Sequence, residues 1–134
     1  MTGDSLNSPQ KSLQILVVDD NAINLRLMTA ILKRLGHYAD TVEDGAASLV
    51  KFKEKHYDAI LMDIMMPVMD GITATREIRK MEAERQTDPG SRVKIIATTA
   101  NAFEDGGKKL LEAGVDHYMH RPIEVDELQR LLNL

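Results

Sequence analysis

Four apolar runs in this chain end in residues that do not belong in a core. ILVV runs into Asp19 and Asp20, AILM into Asp63, VKIIAT into Thr99, and HYM through His120 into Arg121 and Pro122. If these runs are strands sharing one direction, three carboxylates, one hydroxyl and one cation arrive at a common edge. Each has a plain reading alone: Asp19 and Asp20 as caps and dipole partners of a helix beginning near Ile23, Asp63 as a turn residue. Together they point to chemistry. Carboxylates crowded within a few ångströms raise one another's pKa unless a cation compensates. A hard divalent ion held by one or two carboxylates, and otherwise by water and phosphate oxygens, is the pattern of Mg2+.

The elements that must position these groups are legible in the patterning. ILVVDD is a continuous, β-branched run of the kind buried on both faces of a parallel sheet. AINLRLMTAILKRLG carries Leu27, Ile31 and Leu35 at spacing four and closes on Gly36, a helix stop. HYADTV is a weaker strand, and GAASLVKFKEKH a short helix with Asp44 as its candidate N-cap. AILMD predicts a strand and GITATREIRKMEAE a helix. RQTDPGSR is a loop by its Pro-Gly chemistry. VKIIATT, AFEDGGKKLLEAG, HYM and VDELQRLLNL then predict strand, helix, strand and helix. Five strands alternating with five helices define a doubly wound, three-layer α/β sandwich with a parallel sheet. In such sheets ligands bind outside the carboxyl ends of the strands. Residues 1–13 are polar and contain Pro9, so they read as a flexible lead-in to a domain spanning 14–134.

VVDDN, LMDIMMPVMDG, ATTANA and YMHRP, in this order and spacing, resemble the receiver domain of two-component response regulators over about residues 14–134. The wording DDNAINLRL and TANAF is most similar to the receivers of hybrid histidine kinases, phosphorelays and single-domain regulators. The resemblance implies a flavodoxin-like (βα)5 fold with strand order 2-1-3-4-5. It implies Asp63 as the phosphoacceptor. Asp20 would hold Mg2+ directly, Asp19 directly or through water, and Met65 would add its backbone carbonyl. Thr99 would bond the arriving phosphoryl group, Tyr118 would occupy the aromatic switch position, and Pro122 would follow a cis peptide bond. Met65 and Asn101 would flank the water that removes the phosphoryl group and tune its lifetime. Ala100, being small, would leave the approach open. Arg121 stands where the family usually has lysine, an exchange that is not conservative.

The partners implied are a histidine kinase or a histidine phosphotransfer protein. On the first helix, Leu27, Met28, Ile31 and Leu35 are expected to face the core, and Leu25 and Leu32, a quarter-turn away, to help dock that partner.

Composition sets the bounds. A net charge of −4 argues against general nucleic-acid binding. There are no cysteines, which excludes disulfides and thiolate metal sites. No apolar run approaches the ~20 residues of a membrane span, and the first residues lack a signal-peptide layout, so a cytoplasmic location is expected. The four histidines have no zinc-ligand spacing, the methionines read as core filler, and EDGGKK lacks a P-loop pattern. Two alternatives stand beside a phosphoacceptor: a pseudo-receiver that binds partners without phosphorylation, and a flavin-type binder. The acidic strand ends disfavour the latter, because a phosphate-bearing cofactor wants donors there.

Overall fold

The structure is a computed structural model that describes residues 12–66, 69–99 and 107–134. Strands β1 (Gln14–Val18), β2 (Tyr38–Val42), β3 (Ala59–Asp63), β4 (Lys94–Thr99) and β5 (His117–His120) alternate with helices α1 (Ala22–Arg34), α2 (Gly45–Glu54), α3 (Gly71–Glu84), α4 (Lys108–Ala113) and α5 (Val125–Leu132). A short 3₁₀ turn at Pro89–Ser91 lies within the loop predicted before β4. All neighbouring strands are parallel, in the order β2-β1-β3-β4-β5, as expected of a flavodoxin-like sandwich.

Period-two alternation along the central strands builds two cores. Leu16, Val18, Ile60, Met62, Ile95 and Ala97 pack toward α2, α3 and α4. Ile15, Val17, Leu61 and Ile96 pack toward α1 and α5. Covering both faces is what lets β3 be buried at every position, including Asp63 at its end. Local signals agree with this frame. Asp44 caps α2 by accepting from Ala47 N at 2.7 Å, and Asp70 caps α3 from Thr73 N at 2.8 Å. Gly36 takes a left-handed φ of +90° just past α1, where a side chain would be strained.

The edge of the sheet opposite the acidic one is held by an arginine that the sequence did not single out. Arg79 of α3 donates to Glu82, to the carbonyls of Val93 and Gly114, and to Asp116, all between 2.7 and 2.9 Å. Glu82 is 4% exposed and also accepts from Val93 N. Both Glu82 oxygens and every Arg79 guanidinium nitrogen have a partner, the condition under which burial of charge is tolerated. The pair joins α3 to the start of β4 and to the turn before β5.

The lead-in expected to reach residue 13 is already part of the fold at Leu13. Its N–H donates to His37 Nδ1 at 3.1 Å, and its carbonyl accepts from Tyr38 N at 2.9 Å. Residues 1–11 lie outside the described residues.

Helix α1 corrects the expected docking flank. Leu25, Met28 and Leu32 are buried, with Leu32 fully so, whereas Leu27 is 59% exposed and Ile23 73% exposed. Leu25 and Leu32 are therefore core, packed with Ile15, Val17 and Leu128. The apolar arc from Ile23 to Leu25 spans about 200° at 100° per residue, too wide for periodicity to fix its centre. Contact with β1 and α5 turns it about 75° from the sequence-based position. Leu32→Ala is accordingly expected to lower unfolding stability by about 2–5 kcal/mol, and Leu27→Ala by under about 0.5 kcal/mol. Urea unfolding of the two variants measures the difference, and equal losses would contradict this packing.

Candidate functional site

The carboxyl ends of β1, β3, β4 and β5 assemble one site. Asp19 follows β1 and continues its ladder, donating from N–H to the Val42 carbonyl at 3.2 Å. Its carboxylate is 6% exposed, and Oδ1 accepts from Asn21 N at 2.9 Å. Asp20, next in sequence, is exposed. Neither acid caps α1: Asn21 does so, accepting from Asn24 N at 3.0 Å. The plain reading of the acid pair as caps of α1 therefore fails, whereas Asp63 does make the backbone contact two residues on that a turn residue makes. Asp63 ends β3 at 2% exposure. Its Oδ1 accepts from Met65 N at 3.2 Å. A methyl group at Gly71 would collide with the Asp63 carbonyl oxygen, so glycine is what lets the start of α3 close against the end of β3.

One carboxylate oxygen from each of Asp19, Asp20 and Asp63 lies within 4.8 Å of the others. Three anionic oxygen donors at this spacing suit a hard divalent cation. A charge of opposite sign in contact with the site comes from Arg121, one residue past β5. Its Nη2 lies 2.8 Å from Asp19 Oδ2, 3.2 Å from Asp63 Oδ1 and 3.4 Å from Thr98 Oγ1. The backbone positions it: Arg121 N donates to the Thr99 carbonyl at 2.8 Å, and the Arg121–Pro122 peptide is cis. Burial pushes the Asp63 carboxyl above its ordinary range; the Arg121 charge opposes this rise, and the Asp19 charge adds to it.

Thr99 ends β4 at 3% exposure. Thr98 is the polar residue that sequence reasoning missed, and the adjacent pair of threonines offered no signal to separate them. Tyr118 on β5 is 37% exposed, and its ring packs on Gly107, where a Cβ would come within 2.8 Å of it. Met65 is 67% exposed beside Asp63. Ala100 and Asn101 lie outside the described residues. Leu25 and Leu32 are remote from any docking role because both are core. A cavity of about 430 Å3 opens next to the site, between α1 residues Leu27, Met28 and Ile31 and the Pro122–Ile123 turn, with Asp19, Thr98 and Arg121 at its polar end. No helix among the described residues is long and apolar enough to cross a membrane.

This arrangement is that of a known family. The family model described as the response regulator receiver domain matches residues 15–133, and the chain belongs to that family. The chain is 40% identical over 128 residues to a hybrid signal transduction histidine kinase of Dictyostelium discoideum, which covers 92% of this chain but only 7% of that relative's length. It is 36% identical over 121 residues to a signal transduction histidine-protein kinase of Escherichia coli, covering 90% of this chain and 12% of the relative. Among solved structures, the receiver domain of a sensor histidine kinase from Pseudomonas aeruginosa has a TM-score of 0.77 at 41% identity, over 92% of this chain and 96% of that one. That structure carries a magnesium ion coordinated in its active-site cleft. A receiver domain from Saccharomyces cerevisiae, crystallised with a histidine phosphotransfer protein, has a TM-score of 0.83 at 25% identity, over 91% and 87% of the two chains. The chain is thus a receiver module of two-component phosphorelay signalling, spanning a small part of the length of the kinases it matches.

The raised Asp63 carboxyl has a consequence for stability. The folded state holds a proton there more readily than the unfolded state does, so the charged form works against folding at neutral pH. Asp63→Asn is expected to raise Tm at pH 7 in metal-free buffer. The advantage should shrink as pH falls through the raised value and vanish below the ordinary 3.8. Thermal melts across this range provide the check, and an advantage independent of pH would show that the charge is not its source.

Proposed function

We propose that residues 14–134 accept a phosphoryl group on Asp63 from a phosphohistidine, in a His-to-Asp phosphorelay. The observation that carries this reading is a buried strand-end carboxylate with two further carboxylates within 4.8 Å and a guanidinium in contact. The contacts that Asp63 makes with described residues fall on Oδ1, so Oδ2 is the attacking oxygen. It forms a bond to phosphorus as the P–N bond breaks, leaving an acyl phosphate and, with the other ring nitrogen of the donor protonated beforehand, a neutral imidazole. Such transfer needs alignment and charge neutralisation more than covalent help. Asp19, Asp20, Asp63 and the Met65 carbonyl would hold Mg2+, which supplies neutralisation at the phosphoryl oxygens when bound. Arg121 contributes a second, permanent positive charge.

The new charge is then read by the Thr99 hydroxyl, which donates to a phosphoryl oxygen, and by Tyr118, which responds on β5. Autodephosphorylation would be slow to intermediate. Met65 has no polar group to orient the attacking water, whereas Asn101 offers one. A cytoplasmic location suits a module served by an intracellular donor.

The donor would be a histidine kinase or a histidine phosphotransfer protein, like the one bound to the yeast receiver. It would dock on the exposed Ile23 and Leu27 of α1, of which Leu27 also lines the cavity that ends at Asp19 and Arg121. A second reading, a pseudo-receiver that binds partners without phosphorylation, draws on one observation: the guanidinium already occupies Asp19 and Asp63.

Acetyl phosphate with Mg2+ separates the two readings. Intact-mass measurement should show one added phosphoryl group on the wild type and none on Asp63→Ala. A wild type that no donor labels would favour the pseudo-receiver. Leu27→Ser should slow transfer from a helical phosphodonor by about five- to tenfold, the scale of an interface anchor, and leave acetyl-phosphate labelling unchanged. Equal loss in both assays would remove α1 from docking.

A further inference from the structure

We infer that Arg121 is a tethered competitor for the metal position, so that magnesium entry requires an exchange of cations at Asp19. The inference rests on the magnesium-dependent relay proposed above and concerns what sets its metal threshold.

Both oxygens of Asp19 are engaged within the chain: Oδ1 accepts from Asn21 N at 2.9 Å, and Oδ2 from Arg121 Nη2 at 2.8 Å. The same Nη2 stands 3.2 Å from Asp63 Oδ1, so it lies among two of the three carboxylates rather than outside them. A magnesium ion bound at about 2.0–2.1 Å from its oxygens would fall in that same space. One oxygen of each acid lies within 4.8 Å of the others, and Nη2 already rests against Asp19 Oδ2 and Asp63 Oδ1, so a guanidinium nitrogen and an ion would crowd each other there. Two cations so close also repel strongly in a site with little water. Thr98 Oγ1, 3.4 Å from Nη2, lies beside the guanidinium and favours the metal-free position. Asp20 is exposed and is not among the carboxylates that Arg121 contacts, so it is the ligand open to a first encounter.

The order of events follows. Asp20 would be the first carboxylate to meet a cation, and Arg121 would then release Asp19 Oδ2 to it. The released guanidinium is short of an anion until a phosphoryl group arrives on Asp63 and accepts its hydrogen bonds. Metal and phosphoryl group therefore reinforce each other, and by linkage each raises the affinity for the other. A lysine at position 121 would carry the same charge on a shorter, single-headed side chain, and would hold Asp19 less firmly.

Magnesium titrations of the full chain at fixed ionic strength, followed by calorimetry and by NMR of the arginine side-chain N–H groups, test this. Arg121→Lys should bind magnesium about fivefold more tightly at unchanged net charge, the scale of a partly exposed ion pair. In the wild type the Arg121 Nε–H signal should shift in step with metal binding. Equal affinities for wild type and Arg121→Lys, with tighter binding only in Arg121→Gln, would overturn the competition and leave a simple charge effect. A silent Arg121 signal at saturating metal would overturn it as well. If the wild type is labelled at Asp63 while either of these holds, the relay stands and the competition alone fails. If only Arg121→Lys takes up metal and label, the competition is upheld and the relay reading of the natural chain fails. If neither protein binds magnesium, both fall.

Discussion

The governing constraint is mutual repulsion among three carboxylates whose oxygens lie within 4.8 Å of one another. Carboxylates this close cannot all remain charged and buried without a cation. Much of the local architecture follows from meeting that demand. A parallel sheet is the device that brings the ends of β1 and β3 side by side, and β5 returns on the far side of β4 to supply the guanidinium. Asp19 and Asp63 are buried, and Asp63 feels desolvation, whereas Asp20 stays exposed. Capping duties that acids often perform fall to Asn21 and Asp70, which leaves the strand-end carboxylates to the site.

The opposite edge of the sheet is built on a different solution to the same electrostatic problem. There, Glu82 is buried against Arg79, with both of its carboxylate oxygens and all three guanidinium nitrogens in short bonds to backbone and side chain. Removing either partner would strand a buried charge, at a cost of about 3–5 kcal/mol. At the acidic edge the ion pair is looser: Arg121 keeps a quarter of its side chain exposed and shares one nitrogen among three acceptors. The tight network fixes the frame, and the loose one is free to exchange partners. Stability and responsiveness are thus separated to the two ends of the same strands.

The legible features of the sequence were those in which a pattern breaks. Each apolar run that ended in an acid, a hydroxyl or a cation marked a strand end, and β3 and α3 have the bounds the pattern predicted. Periodicity failed where it was too generous. On α1 the apolar arc is wide enough to seat several faces, and only packing against β1 and α5 chose Leu25, Met28 and Leu32. Arg79 and Glu82 were unreadable because an i, i+3 charge pair looks like an ordinary solvated helix face; what buries it is Val93, eleven residues past Glu82. Asn21 was hidden for a related reason, since Asp19, Asp20 and Asn21 are all competent caps and nothing local ranks them. Tertiary contact, not residue type, separated these cases.

The contrast between β3 and β5 says where a signal would have to travel. Asp63 is rigidly presented: its strand is buried at every position, its carboxylate accepts from Met65 N, and Gly71 closes against its carbonyl. β5 is one of the two edge strands, four residues long, with Met119 its only buried member. Tyr118 and Arg121 sit on that lightly held strand and just beyond it. A segment with few buried contacts opens at lower free energy than the core it borders. In the proposed relay the nucleophile would stay still while the residues that sense its charge move, and the β5 edge would be the part that a downstream partner reads.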